Sequence, residues 1–196
     1  MTTTEFEFIA GDVSLDFVNT LGNRLAAPNE HLRTPADVTQ WARLAGLLDS
    51  RQSLRTSPRG LGTIRTTREL LYRIFRAIAL GGRPSPENVA ELDGMFARVA
   101  PKHRLVSRRG ILDWEWHAPA HDPARILGPV LASACALLVS PASELIRECQ
   151  GEGCGWLFLD RSHASARRWC SMRDCGNRAK ARRHYAVATS RAKSAR

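Results

Sequence analysis

Two close pairs of cysteines constrain this chain more than any other feature of it. The first pair stands in Cys149-Gln-Gly-Glu-Gly-Cys154 and the second in Cys170-Ser-Met-Arg-Asp-Cys175; each encloses four residues, and fifteen residues separate the pairs. Two pairs joined by a hairpin-sized insert suit tetrahedral zinc, which takes four thiolates at about 2.3 Å. Gly151, Gly153 and Gly155 help the first pair turn back sharply enough to aim both sulfurs at one ion, and Gly176 offers the same after the second. The competing readings are two disulfides or four unrelated thiols. Met1 is followed by Thr-Thr-Thr-Glu, with neither the basic nor the apolar stretch of a secretory leader. A reducing cytoplasm is therefore expected, where paired thiols serve as metal ligands rather than disulfides. Four cysteines complete the shell and leave no position for water. The expected role is structural, with one Zn²⁺ held by Cys149, Cys154, Cys170 and Cys175.

Around these ligands stand Gly155-Trp156-Leu157-Phe158-Leu159-Asp160-Arg161-Ser162, Arg167-Arg168-Trp169-Cys170-Ser171-Met172 and Cys175-Gly176-Asn177-Arg178. The stretch from Cys149 to Lys180 resembles the CGNR zinc-finger family. In that family the finger lies at the C-terminus behind a domain called ABATE, described as a stress-induced transcription regulator. Gly11-Asp-Val-Ser-Leu15-Asp16-Phe17-Val18-Asn19-Thr20 resembles the start of that domain. What the resemblance implies is DNA binding and transcription regulation.

A chain of 196 residues can hold one domain with a good core plus a small module. The longest apolar run, Val130 to Val139, is far short of the roughly 18 residues that span a membrane, so no membrane association is expected. The net charge of +10 suggests a polyanionic partner, and its distribution sharpens the point. From Pro141 onward twelve Lys/Arg stand against five Asp/Glu, whereas the first 140 residues carry seventeen against fourteen. No Gly-rich phosphate loop, nucleophile elbow or paired-carboxylate motif occurs. His163 and His184 lack the acidic partners of a metal-dependent nuclease, and no enzymatic activity is expected.

Periodicity and turn residues predict a multihelical domain over residues 1–144, a zinc module over 145–190 and a basic tail over 191–196. A short strand at Glu5–Ile9 and a helix around Leu15–Leu21 come first, then a loop from Asn23 to Leu32. Thr34-Pro35 opens a helix with Val38, Trp41, Ala45 and Leu48 on its apolar face. Asp16, Asn19 and Trp41 are candidates for a small-ligand pocket, against local capping for the two polar residues and a core role for the tryptophan. Ser50 to Gly62 reads as a surface connection. A second helix is expected from Thr63 to Leu80, with Arg65, Arg68, Arg73 and Arg76 on a solvated face. Ser85-Pro86 opens a third helix, bearing Val89, Leu92, Phe96 and Val99 on its stripe. A tight hairpin around Arg108-Arg109-Gly110 follows, then a fourth helix from Asp122-Pro123 to Ser140-Pro141, where Cys135 reads as a core residue.

In the zinc module, Trp156–Leu159 is expected as one arm of a hairpin. Asn177–Thr189 is expected as a helix, with Ala181, Tyr185 and Ala188 lying on Trp156 or Phe158. Knuckle, hairpin, second knuckle and helix make a treble-clef-like order, in a chain that is mainly α with short β-hairpins. Zn²⁺ with four thiolates carries a charge of −2, so nearby cations are needed to offset it; Arg173 and Arg178 suit that role, with Gly176 and Asn177 shaping and capping the turn. Arg161, Arg167, Arg168, Lys180, Arg182 and Arg183 remain as a surplus fit for phosphate contacts, with Trp169 among them. The expected function is duplex-DNA binding in transcription regulation, with a small-molecule effector and a homodimer as further expected partners. RNA binding, and a purely structural module bracing a ligand-binding or interaction domain, are the alternatives.

Overall fold

The computed structural model describes residues 6–48 and 54–194, with the side chains of all of them except Arg108 and residues 187–194. The architecture is mainly helical: among the described residues, six α-helices are joined by three two-stranded antiparallel ladders. Glu5 of the expected first strand lies outside the described residues. Residues 6–9 form no strand; at the end of this segment the carbonyls of Ile9 and Ala10 each accept a single bond from the zinc module, from Arg167 and Leu159, rather than joining a ladder.

Three helices open alike, with a hydroxyl side chain as cap and proline at the first helical position, where its missing N–H costs nothing. Thr34 starts α2 (Pro35–Leu44) in a full capping box with Asp37, Ser57 starts α3 (Pro58–Ala79), and Ser85 starts α4 (Pro86–Val99). α3 therefore begins ahead of the expected Thr63. The connection expected over Ser50 to Gly62 becomes helical from Pro58, and its residues 49–53 lie outside the described ones. With 22 residues, α3 runs about 33 Å and is the spine of the domain. α1 (Val13–Val18), capped by Asp12, and α5 (Ala124–Val139) pack against it. Ser133 of α5 donates its hydroxyl to the Asp12 carboxylate at 2.9 Å, tying the two together. Phe17, Trp41, Ile64, Leu71, Ile74, Phe75, Ile126 and Leu131 are sealed between the helices, and the rings of Phe17 and Trp41 lie 5.2 Å apart. Trp41 is a core anchor. Val89 does not join the α4 stripe and is exposed, while Leu92 and Val99 face inward.

The arginines of α3 do not form a solvated face. Arg68 is only 2% exposed. Its guanidinium forks onto both carboxylate oxygens of Glu30 at 2.6 Å, and its Nε donates to Glu69 at 2.8 Å. Burial alone would raise the Glu30 carboxyl pKa; the bonds from Arg68 outweigh it and hold the group below its usual range. Arg65 caps the Leu32 carbonyl, and Arg76 donates to Glu148 at 2.8 Å; of the four, Arg73 is the exposed one. Glu30 belongs to β2 (Asn29–Glu30), inside the stretch expected to be a loop; its partner β1 (Leu21–Gly22) takes up the end of the helix expected over Leu15–Leu21, which stops at Val18. Two-residue strands show no alternation, and this hairpin is held on α3 by part-buried, multiply bonded ion pairs.

β3 (His103–Arg108) and β4 (Ile111–Trp116) form the expected hairpin. Both turn residues, Arg109 (φ 54°) and Gly110 (φ 80°), have the positive φ that matches the strand twist. Trp114 and Trp116 share a face and flank the His103 ring, each 4.4 Å away. The indole of Trp116 packs closely on Gly128 of α5, where a Cβ would fall 2.3 Å from it.

Candidate metal centre

β5 (Ile146–Glu148) delivers the chain to Cys149, and β6 (Leu157–Leu159) leaves Cys154 antiparallel to it, so the first pair closes a hairpin between these strands. The arm preceding the ligands is thus the partner of Leu157–Leu159. Gly153 (φ 74°) and Gly155 (φ 69°) supply the left-handed turns. Gly151 acts differently: a Cβ there would lie 2.7 Å from Cys175 Sγ, so its bare Cα lets the second pair approach the first. Cys170 enters by donating its amide to Cys149 Sγ at 3.2 Å, and a wide turn over Met172–Gly176 carries Cys175 to the start of α6 (Asn177–Ser194). Gly176 has no positive φ; its service is room for Met172 and Trp169, whose atoms would meet a Cβ at 2.8 and 3.2 Å.

The four Sγ atoms lie within 4.8 Å of one another and all four cysteines are buried. Cys170 Sγ stands 3.7 Å from Cys154 Sγ and 3.6 Å from Cys175 Sγ, against the edge of about 3.8 Å of a tetrahedron with 2.3 Å metal–sulfur bonds. Thiols this close share protons: bonds from the Cys154 and Cys170 thiols draw Cys149 far below the usual range and push its two donors up. A divalent cation takes all four as thiolates. The cluster fits one structural zinc ion, which would hold two turns together and offer no open coordination position. Cys135 lies apart in α5, half-buried.

Of the two cations expected to offset the site, Arg178 does so, donating to Cys175 Sγ at 3.0 Å; Arg173 is exposed, and its carbonyl accepts from the Asn177 side chain at 3.0 Å. The six expected phosphate contacts separate into two groups. Arg167 is structural. Its guanidinium donates to the carbonyls of Ile9, Trp169 and Cys170 and lies 4.2 Å over the Phe158 ring. Arg161, Arg168, Lys180, Arg182 and Arg183 are exposed, Arg168 donating to Gln150 at 2.7 Å and Arg182 to Glu152 at 2.8 Å. Arg168 and Trp169 also border a cleft of about 320 Å³ against Ala166 and Met172. The stripe expected on α6 is not packed: Ala181 and Tyr185 are exposed, and the helix runs past Thr189 to Ser194, through the first part of the expected tail. With Arg178, Lys180, Arg182 and Arg183 crowded into its first two turns, little apolar surface was available to dock it.

Asp16, Asn19 and Trp41 do meet, together with His31 and Trp156, but around a cavity of only about 10 Å³, room for no more than a water molecule. Asp16 accepts from the Ala10 amide at 3.0 Å, and Asn19 is spent on β6. Asn19 is a docking residue, as are others that periodicity did not single out. Trp156 Nε1 donates to the Leu21 carbonyl at 3.2 Å, the amides of Arg24 and Leu25 donate to the carbonyls of Cys154 and Gly153, and Leu159 donates to Ala10. Asp160, buried behind β6, accepts from the Ser162 hydroxyl and the Ser162 and Arg167 amides, and these bonds hold its carboxyl below the usual range. The Asp-Arg-Ser spacing of such a turn was its one sequence signal.

A comparison with curated proteins gives no match. Two family models do match, end to end: the ABATE model, described as "Putative stress-induced transcription regulator", over residues 11–141, and the CGNR zinc finger over residues 146–188. The first covers well over half of the chain and the second contains all four clustered cysteines, so this chain belongs to the ABATE family and carries a CGNR zinc finger.

Proposed function

We propose that the chain is a non-enzymatic, DNA-binding transcription regulator of the cytoplasm, in which the zinc module presents α6 and the neighbouring loop cations to duplex DNA. The observation that carries this reading is the exposure of the first half of α6. Its 18 residues hold Arg178, Lys180, Arg182, Arg183, Arg191 and Lys193 without one Asp or Glu, and every side chain from Lys180 to Ala186 is exposed. Like charges this dense repel along a helix, and with no packed stripe among the described side chains to offset that repulsion, a polyanion is the partner that lowers its energy. Arg178 and the metal brace the first turn; Lys180 and Arg183 point away from the face shared by Arg178 and Arg182.

The test is duplex-DNA binding by the zinc-loaded protein across a salt series, beside an Arg161/Lys180/Arg183→Ala variant. Each phosphate contact removed should flatten the salt slope by roughly 0.9. Unchanged affinity and slope would reject the reading, and single-stranded RNA competing better than duplex DNA would redirect it to RNA. A second reading has its own support. The zinc module is bonded to the helical domain through Asn19, Arg24, Arg76 and Ala10, as a structural brace would be.

A further inference from the structure

Between α3, α4 and α5 lies a cavity of about 320 Å³ that neither the metal centre nor the basic helix uses. Val99, Leu127 and Leu131 form its buried wall, with half-buried Met95 beside them. Thr67, the buried polar residue of the lining, has its hydroxyl already spent on the Thr63 carbonyl at 2.9 Å, and the more accessible Lys102 is ion-paired with Asp122. Among the described residues Arg98, exposed in the last turn of α4, has no carboxylate partner, so it supplies the uncompensated positive charge of this rim. An apolar pocket of this size with one cation at its edge complements a molecule with an apolar body and one negative end.

We propose that this cavity binds a small amphipathic carboxylate, an alkyl or aryl acid, with its body on Met95, Val99, Leu127 and Leu131 and its carboxylate on Arg98. The place has a consequence for regulation. α3, which forms one wall, also carries Arg76, whose bond to Glu148 seats the residue just before the first metal ligand. An acid wedged between α3 and α5 therefore acts on the helix that positions the zinc module.

The zinc-loaded full chain is titrated calorimetrically with octanoate and with 4-phenylbutyrate, beside 1-octanol and octylamine as uncharged and cationic controls, and thermal melts are run in parallel. One or both acids should saturate at one molecule per chain and bind about tenfold or more tighter than octanol. Arg98→Gln should reduce the acid to the level of the alcohol. Thr63→Trp, made at an exposed position so that the core is undisturbed, should close the mouth and abolish binding while the melt of the free protein holds. The proposal is overturned if neither acid saturates at millimolar concentration, if octanol or octylamine binds as well, if Arg98→Gln keeps the preference for the acid, or if binding survives Thr63→Trp.

Discussion

Asn19 and Leu157, 138 residues apart, exchange two hydrogen bonds: the Asn19 side-chain amide donates to the Leu157 carbonyl at 2.8 Å and accepts from the Leu157 amide at 2.9 Å. A carboxamide thus takes the place of a neighbouring strand on the open side of β6, and both backbone groups it satisfies are buried. Asn19→Ala would orphan the two at once. A loss of about 2–4 kcal/mol is expected in denaturant unfolding, with faster hydrogen exchange at the Leu157 amide. Asn19→Asp, which keeps the acceptor and loses the donor, should not restore stability.

Gly151 sets how closely the two cysteine pairs approach. A methyl group placed 2.7 Å from Cys175 Sγ and 3.3 Å from Cys149 Sγ must push one ligand outward. Gly151→Ala is expected to lower zinc affinity about ten- to hundredfold, measured by competition with a chromophoric chelator. An unchanged affinity would show that the second turn can shift to make room.

Arg167 and Arg183 stand close in a list of basic residues yet do different work. Arg167→Ala strips bonds from the Ile9, Trp169 and Cys170 carbonyls and uncovers Phe158, so it should destabilise the module by about 2–3 kcal/mol, with Lys a poor replacement for the planar fork. Arg183→Ala should leave the melting temperature in place and weaken only nucleic-acid binding. The two readouts separate a fold defect from a lost phosphate contact.

Burial, with Asp12 nearby, pushes the Asp16 carboxyl up to about 6 despite the Ala10 amide, which works the other way. The unfolded chain, with the ordinary value near 3.8, then releases its proton first as pH rises. Stability from this group is therefore full below about pH 4, declines between about pH 4 and pH 6, and stays low above. Asp16→Asn keeps an acceptor for Ala10 and buries no charge. It is expected to match the parent near pH 4 and to exceed it at pH 7 by up to about 3 kcal/mol. Denaturant melts of both proteins, taken as a difference so that acid release of the metal cancels, check the sign.

The metal ligands, the main helices and the β3–β4 turn were legible because each is written locally: cysteines at fixed spacing, a hydroxyl before a proline, an Arg-Gly turn between alternating strands. Ser57-Pro58 uses the same signal as Ser85-Pro86 and was masked by its Arg- and Gly-rich surroundings. What stayed hidden depends on partners far along the chain. Arg68 looks like any surface arginine until Glu30 is folded onto it, and Arg167 looks like a phosphate contact until Ile9 arrives beneath it. The α6 stripe fails for a related reason: Ala181 and Tyr185, at helical spacing, do not outweigh the four cations Arg178, Lys180, Arg182 and Arg183 around them.

The bonds from Asn19, Ala10 and Arg24 to residues 153–159 also set a timetable for biosynthesis. At 5–20 residues per second, a ribosome makes Leu157 on the order of ten seconds after Asn19. During that interval α1 and the β1–β2 hairpin await their partner strand, and two of the four sulfurs that will organise it, those of Cys170 and Cys175, are made later still. The nascent N-terminal half can assemble its helices early, but its closing contacts are postponed until the last quarter of the chain has left the ribosome and met zinc.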